Sequence, residues 1–386
     1  MHILTANQNH FFDLTAEAPF ITHSGGELKH AQLAYQTWGT LNADKSNAIL
    51  LSHALSGSQN VVGYTPEIEG VNHLWTEDNH YGWWDEFMGP GKAIDTDKYF
   101  VICANYLGGC YGSTGPHSIN PETSQPYGKN FPSLHVADQA KAFMRLVDSF
   151  GIQKLHAAIG PSVGGLITLT IGTTYADRVQ RVIPMCAGYR TTVLTKLLLF
   201  EQILAIENDP NFNAGDYYGE NQPVPTYGLA LARMISHKTF VHLDLFESRA
   251  KREIRPHKDA LAWYEMSDPF QSYMLHQGKK FVNRFDANTY LRIIDMWSKY
   301  DAEAEASVSS PEALFSAAKA NNQSYLVFSI DSDFCFYPEE QAELVRHLED
   351  QDINVMHITV HSSKGHDSFL LEPKLFTPHL REILDH

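Results

Sequence analysis

The chain has 386 residues, 43% of them hydrophobic and 12% aromatic, and its 45 acidic residues outnumber 29 basic ones to give a formal net charge of −16. Such a composition is ordinary for a globular enzyme, and the length allows one elaborated domain or two. The acidic balance argues against nucleic acid or an anionic membrane surface as the main partner.

The first residues, Met1 to Gln8, contain no basic segment followed by an apolar one, so no signal peptide is predicted. No uncharged apolar run approaches the roughly 20 residues of a membrane span. Cys103, Cys110, Cys186 and Cys335 include no Cys-x-x-Cys pair. Buried thiols in a reducing cytoplasm are therefore expected, not a disulfide framework or a zinc site. With neither His-Glu-x-x-His nor a Walker-type loop present, no metal is expected.

Along the chain, short β-rich runs recur at Ala48–Ser52, Tyr99–Ala104, Leu155–Ile159 and Val182–Cys186. Several are almost continuously apolar, as strands buried on both faces of a sheet should be. Between them His135–Gly151 carries Val136, Ala140, Phe143, Val147 and Phe150 at helical spacing, which predicts one buried face. The alternation points to a mostly parallel α/β sheet. It stops after Cys186: Val193–Glu207, Tyr227–His237 and Asn288–Tyr300 have helical patterns, and strand-like runs return only at Tyr325–Ile330 and Ile353–Val360. This predicts an α/β core over 1–188, a helical lid insertion over 189–301, and the rest of the core over 302–386. An independent helical domain is the alternative.

Where the run Leu155–Ile159 ends, the sequence reads Gly160-Pro-Ser-Val-Gly-Gly165. A Gly-x-Ser-x-Gly between a strand and a helix is a nucleophile elbow, a tight turn that lifts a serine hydroxyl above the sheet. The crowded backbone leaves no room for side chains at Gly160 and Gly164. A serine needs a base, and the base an orienting acid, in the chain order Ser, Asp, His. The run Tyr325–Ile330 opens into Asp331-Ser332-Asp333, and the run ending at Val360 is followed by Gly365-His366-Asp367. Ser162, Asp333 and His366 are therefore predicted as nucleophile, acid and base. Asp331 is a rival acid; His357 and His361 are rival bases. Oxyanion donors are expected from the N–H of Val163 and, on the loop His53–Gly57 after an early strand, from the N–H of Leu55. His53 reads as structural.

The elbow, the loop His53-Ala-Leu-Ser-Gly57 and the terminal Gly365-His-Asp-Ser-Phe369 together resemble homoserine O-acetyltransferase of the α/β-hydrolase superfamily. Gly82-Trp-Trp-Asp85, Gly89 to Asp97, Gly112-Ser-Thr-Gly-Pro116 and Asn283-Arg-Phe-Asp-Ala-Asn-Thr-Tyr290 extend the resemblance over roughly residues 30–375. It implies acyl transfer from acyl-CoA to the hydroxyl of L-homoserine through an acyl-serine. No bound cofactor is implied beyond the acetyl-CoA or succinyl-CoA substrate, and the assembly implied is a homodimer with the helical block near the two-fold. It also implies that Arg233 holds the α-carboxylate and Asp367 the α-ammonium of the acceptor. The chain differs from the family's usual Gly-Gly-Ser-Met-Gly-Gly at Pro161 and Val163, and Leu166–Ile171 is rich in poor helix formers. Succinyl transfer, transfer to serine, and hydrolysis on the same scaffold are the alternatives.

Overall fold

The computed structural model describes residues 7–252, 263–266 and 268–386. Its centre is a sheet of eight strands: β1 (His10–Asp13), β2 (Gln32–Trp38), β3 (Ala48–Leu51), β4 (Phe100–Ala104), β5 (Leu155–Pro161), β6 (Val179–Met185), β7 (Ser324–Ile330) and β8 (Asn354–Val360). They lie in the order β1-β2-β4-β3-β5-β6-β7-β8. β2 is antiparallel to both β1 and β4, and every other neighbouring pair is parallel.

Side chains alternate across the sheet and divide the core in two. Leu50, Ile102, Ala158 and Val182 face one layer. Packed there are α1 (Val136–Ser149), α2 (Val163–Thr174), α8 (Pro311–Ala320) and α9 (Pro338–Asp350). Ile49, Leu51, Val101, Ile159 and Phe328 face the other layer, where Phe376, Leu380 and Leu384 of α10 (Pro373–Asp385) cover them. α2 is buried on all sides, so tertiary packing overrides the weak helix propensity of its Ile and Thr residues.

Between β6 and β7 the chain leaves the sheet and forms α3 (Val193–Glu207), α4 (Thr226–Phe240), α5 (Leu243–Arg252), α6 (Pro269–Val282) and α7 (Ala287–Lys299). It departs and returns at one place: Thr191 N–H donates to the Tyr300 carbonyl at 3.0 Å, and Ala302 N–H to the Tyr189 carbonyl at 3.1 Å. Gly365 is pressed against this block, since a Cβ there would lie 2.6 Å from the His242 nitrogen.

Several sequence expectations change in detail. β5 runs on to Pro161, β6 begins at Val179, and Cys186 lies beyond it with φ 52°. α1 stops at Ser149. β1 and β2 went unanticipated because β2, Gln-Leu-Ala-Tyr-Gln-Thr-Trp, mixes polar and apolar residues without clean alternation. All four cysteines are free and buried. No helix is long and apolar enough to cross a membrane among the described residues.

Candidate active site

Ser162 stands between β5 and α2 with φ 59° and ψ −129°, a backbone strain typical of functional positions. It is held there by its N–H, which donates to the Met185 carbonyl at 2.9 Å. The flanking glycines are steric necessities. A Cβ on Gly160 would lie 2.2 Å from the Gly164 carbonyl oxygen, and one on Gly164 would lie 2.2 Å from the Ser52 carbonyl oxygen. The start of α2 therefore touches the end of β3 backbone to backbone.

His366 sits on the turn after β8, and its Nδ1 lies 2.6 Å from Asp333 Oδ2, with side-chain exposures of 3% and 0%. Asp333 Oδ1 accepts the N–H groups of Cys335 at 2.7 Å and Phe336 at 2.9 Å. With Oδ1 taken by two N–H donors, Oδ2 is the oxygen left to accept from His366 Nδ1. That leaves His366 Nε2 with its lone pair, buried and without a hydrogen-bond partner among the described residues. The rivals are engaged elsewhere. Asp331 Oδ2 pairs with His361 Nδ1 at 2.8 Å on the surface, and His357 Nε2 contacts Ser329 Oγ at 2.7 Å.

The loop after β3 turns sharply, with Gly57 N–H donating to the Ala54 carbonyl at 2.9 Å. Neither the Leu55 N–H nor the Val163 N–H has an acceptor among the described residues. The second belongs to the first turn of α2, whose N–H groups have no helical partner. His53 is buried, stacked on Tyr106 with ring centroids 3.8 Å apart, and its Nδ1 donates to the Ala54 carbonyl at 2.7 Å. Burial pushes its pKa down to about 4, against the opposing pull of that hydrogen bond. A neutral imidazole that holds its loop in place is a structural part.

Ser162, His366, Leu55, Arg233 and Asp367 all line one cavity of about 350 Å³, with Asp333 behind His366. Arg233, on α4, has no carboxylate ion-pair partner among the described residues; it sits over the rings of Phe281 at 4.8 Å and Phe240 at 5.1 Å. Burial, and then the like charge of Arg284, hold its pKa below the ordinary arginine value. Asp367 is raised by burial, a rise that the neighbouring His366, Arg233 and Arg249 side chains oppose. Its closest ion pair, to Arg249, is long at 3.9 Å. The cavity that Ser162 lines thus also holds a guanidinium with no carboxylate partner among the described residues and a loosely paired carboxylate.

Three further cavity residues carry no sequence signal that assigns them there. Arg284, in the link between α6 and α7, lies 5.2 Å from the Phe281 ring, and Lys280 pairs with Asp78 at 2.9 Å, all three lining the cavity. Arg284 falls within a motif of the resemblance, yet no spacing rule ties that motif to the elbow.

Residues 47–373 match the family described as the alpha/beta hydrolase fold. The homoserine O-acetyltransferase of Methanohalobium evestigatum is 40% identical over 370 residues, which cover 95% of this chain and 71% of that protein. The chain belongs to the homoserine O-acetyltransferase family. A homoserine O-succinyltransferase of Alkalilimnicola ehrlichii is 39% identical over 372 residues, 95% of this chain and 92% of its own length. Among solved structures, the homoserine O-acetyltransferase of Bacillus anthracis superposes with a TM-score of 0.85 at 27% identity, over 99% of both chains. Esterase E22 superposes with the same TM-score at 25% identity, over 98% of this chain and 99% of that one. The homoserine O-acetyltransferase scaffold thus carries both acyl transfer and ester hydrolysis among its relatives.

Proposed function

We propose that this chain transfers an acetyl group from acetyl-CoA to the side-chain hydroxyl of L-homoserine, through an ester on Ser162. The observation that carries this reading is the buried Asp333–His366 pair, whose histidine lines one cavity together with the elbow serine, Arg233 and Asp367. His366 Nε2 takes the Ser162 proton as Oγ attacks the thioester carbonyl. The N–H groups of Leu55 and Val163 meet the oxyanion. Collapse expels the CoA sulfur, which takes the proton back from His366. Homoserine then enters, with its carboxylate on Arg233 and its ammonium on Asp367. His366 removes its hydroxyl proton, the alkoxide attacks the acyl-Ser162 ester, and Ser162 leaves reprotonated. Asp333 holds the imidazole and stabilises its cationic form. The chemistry is ping-pong, with acyl-CoA as substrate and no resident cofactor.

The helical block 189–301 acts as the lid that limits water at this ester. Its outer face supports a homodimer: Val193, Leu194, Leu197, Phe200 and Leu204 of α3, with Tyr227 and Leu231 of α4, are all exposed. A contiguous apolar face of this kind marks a protein interface. The metabolic setting is the cytoplasm.

Succinyl-CoA as donor is the second reading, favoured by the 39% identical succinyltransferase. Hydrolysis is the third, favoured by the similarity to esterase E22. One assay separates them: CoA thiol release from acetyl-CoA and succinyl-CoA, each with homoserine, serine or no acceptor. Fast acetyl-CoA turnover that needs homoserine supports the proposal. Turnover that needs succinyl-CoA, or that proceeds equally without acceptor, replaces it.

A further inference from the structure

The loop that carries Leu55 is held from both ends. At its start, His53 Nε2 lies 3.3 Å from Asn105 Nδ2. Asn105 Oδ1 accepts the Tyr111 N–H at 3.2 Å, and the Tyr111 hydroxyl donates to the Arg284 carbonyl at 2.5 Å. Arg284 then returns to the loop. Its Nη1 donates to the Ser56 carbonyl at 3.2 Å and to the Tyr111 hydroxyl oxygen at 3.3 Å. Leu55 and Ser56 are the central residues of the turn closed by Gly57 N–H and the Ala54 carbonyl. The Ser56 carbonyl shares its peptide plane with the Gly57 N–H, and that N–H bonds to the Ala54 carbonyl, whose own plane carries the Leu55 N–H, so holding Ser56 fixes the Leu55 N–H through the turn's closing hydrogen bond.

Arg284 has no carboxylate ion-pair partner among the described residues. Its hydrogen bonds go to neutral oxygens, although the cavity contains two carboxylates, Asp78 and Asp367. A guanidinium used this way orders backbone. It comes from the helical block, while the loop it orders belongs to the sheet.

We propose that Arg284 is a positioning residue of the oxyanion hole, reaching from the helical block to hold the Leu55–Ser56 turn so that the Leu55 N–H faces the developing oxyanion. This rests on the reading of Ser162 as the acylated nucleophile. Donors act through orientation fixed before the reaction, so a turn free to rotate loses much of the benefit of one. Both half-reactions pass through an oxyanion at this place, and both should slow together.

The test uses full-length protein carrying Arg284→Met, Arg284→Lys or Tyr111→Phe. Rapid-mixing measurement of CoA release from acetyl-CoA reads the first half-reaction alone. A short alkyl trifluoromethyl ketone, which adds to Ser162 and creates an oxyanion, reads the hole directly. Arg284→Met is expected to slow acylation about 10–100-fold and to weaken the ketone by a similar factor. KM for homoserine should move less than about threefold. Arg284→Lys should recover part of both losses. Unchanged acylation, or a raised homoserine KM with acylation intact, would overturn the proposal. If Arg284→Met does not fold, Tyr111→Phe removes one anchor and keeps the ring; wild-type acylation and ketone affinity in that variant would overturn it too. Wild-type enzyme that forms no ester on Ser162 would instead sink the functional reading, and this proposal with it.

Discussion

Asp333 Oδ2 and His366 Nδ1 are 2.6 Å apart, each side chain closed off from solvent, and the second oxygen of Asp333 is held by two backbone N–H groups. Only one orientation of a substituted amide suits that arrangement. In Asp333→Asn the amide oxygen must stay on the N–H groups of Cys335 and Phe336, so its NH₂ faces His366 Nδ1. The imidazole then carries its proton on Nε2, the wrong atom for a base. We expect kcat to fall about 10³–10⁴-fold with KM little changed and the fold intact. Steady-state kinetics alongside circular dichroism check this; a loss under tenfold would contradict the pairing.

The acceptor pair has a pH signature. Burial raises Asp367, yet ammonium binding needs its ionised form. Homoserine affinity is full above the Asp367 pKa and falls as pH drops through it, and the raised pKa starts that fall at a higher pH than an ordinary carboxylate would. Asp367→Asn should raise KM for homoserine and remove this acidic limb. Arg233→Ala should raise KM about 10–100-fold and move the acidic limb to higher pH, because the guanidinium opposes the rise of Asp367. The measurement is KM for homoserine against pH; an acidic limb that survives in Asp367→Asn would assign it to another group.

A second buried carboxyl sets a stability signature. Burial pushes Glu340 up to about 8, against the Tyr337 N–H that its Oε1 accepts at 3.0 Å. The folded state then binds more protons than the unfolded one between the ordinary glutamate pKa and about 8. Stability must therefore fall as pH rises through that window, and the loss is complete above it. Glu340→Gln should flatten the dependence and raise Tm relative to wild type at the alkaline end. Thermal unfolding from pH 5 to 9 checks this; parallel curves for both proteins would contradict it.

The exposed apolar face of α3 carries its own prediction. Leu197→Glu with Phe200→Glu places two charges where both side chains are more than half exposed, at 55% and 53%. The monomer should fold unchanged, because neither residue joins the core. Sedimentation velocity should show dimer for the wild type and monomer for the double variant. A wild-type monomer would remove the proposed assembly.

Legibility in the sequence followed physical locality. The elbow was readable because strand end, glycines and serine are consecutive, and steric crowding permits few alternatives there. The central strands β3 to β7 were readable because burial on both faces demands nearly unbroken apolar runs. Spacing favours Asp333 but leaves Asp331 a rival, since both lie at the end of β7; what distinguishes them is that one turns inward onto two N–H groups and the other pairs with exposed His361. β1 and β2 were missed because their partly exposed faces blur the pattern. Arg284 and Lys280 were missed for a different reason. They reach the cavity only because α6 folds back over it, and no local periodicity records that approach.

The most direct measurement is mass spectrometry of the enzyme mixed with acetyl-CoA alone, then with homoserine. The account predicts one acetyl group on the peptide carrying Ser162, stable in the absence of acceptor and cleared when homoserine is added, with no label in Ser162→Ala. No label at Ser162, or a label that water removes as fast as homoserine does, would contradict it.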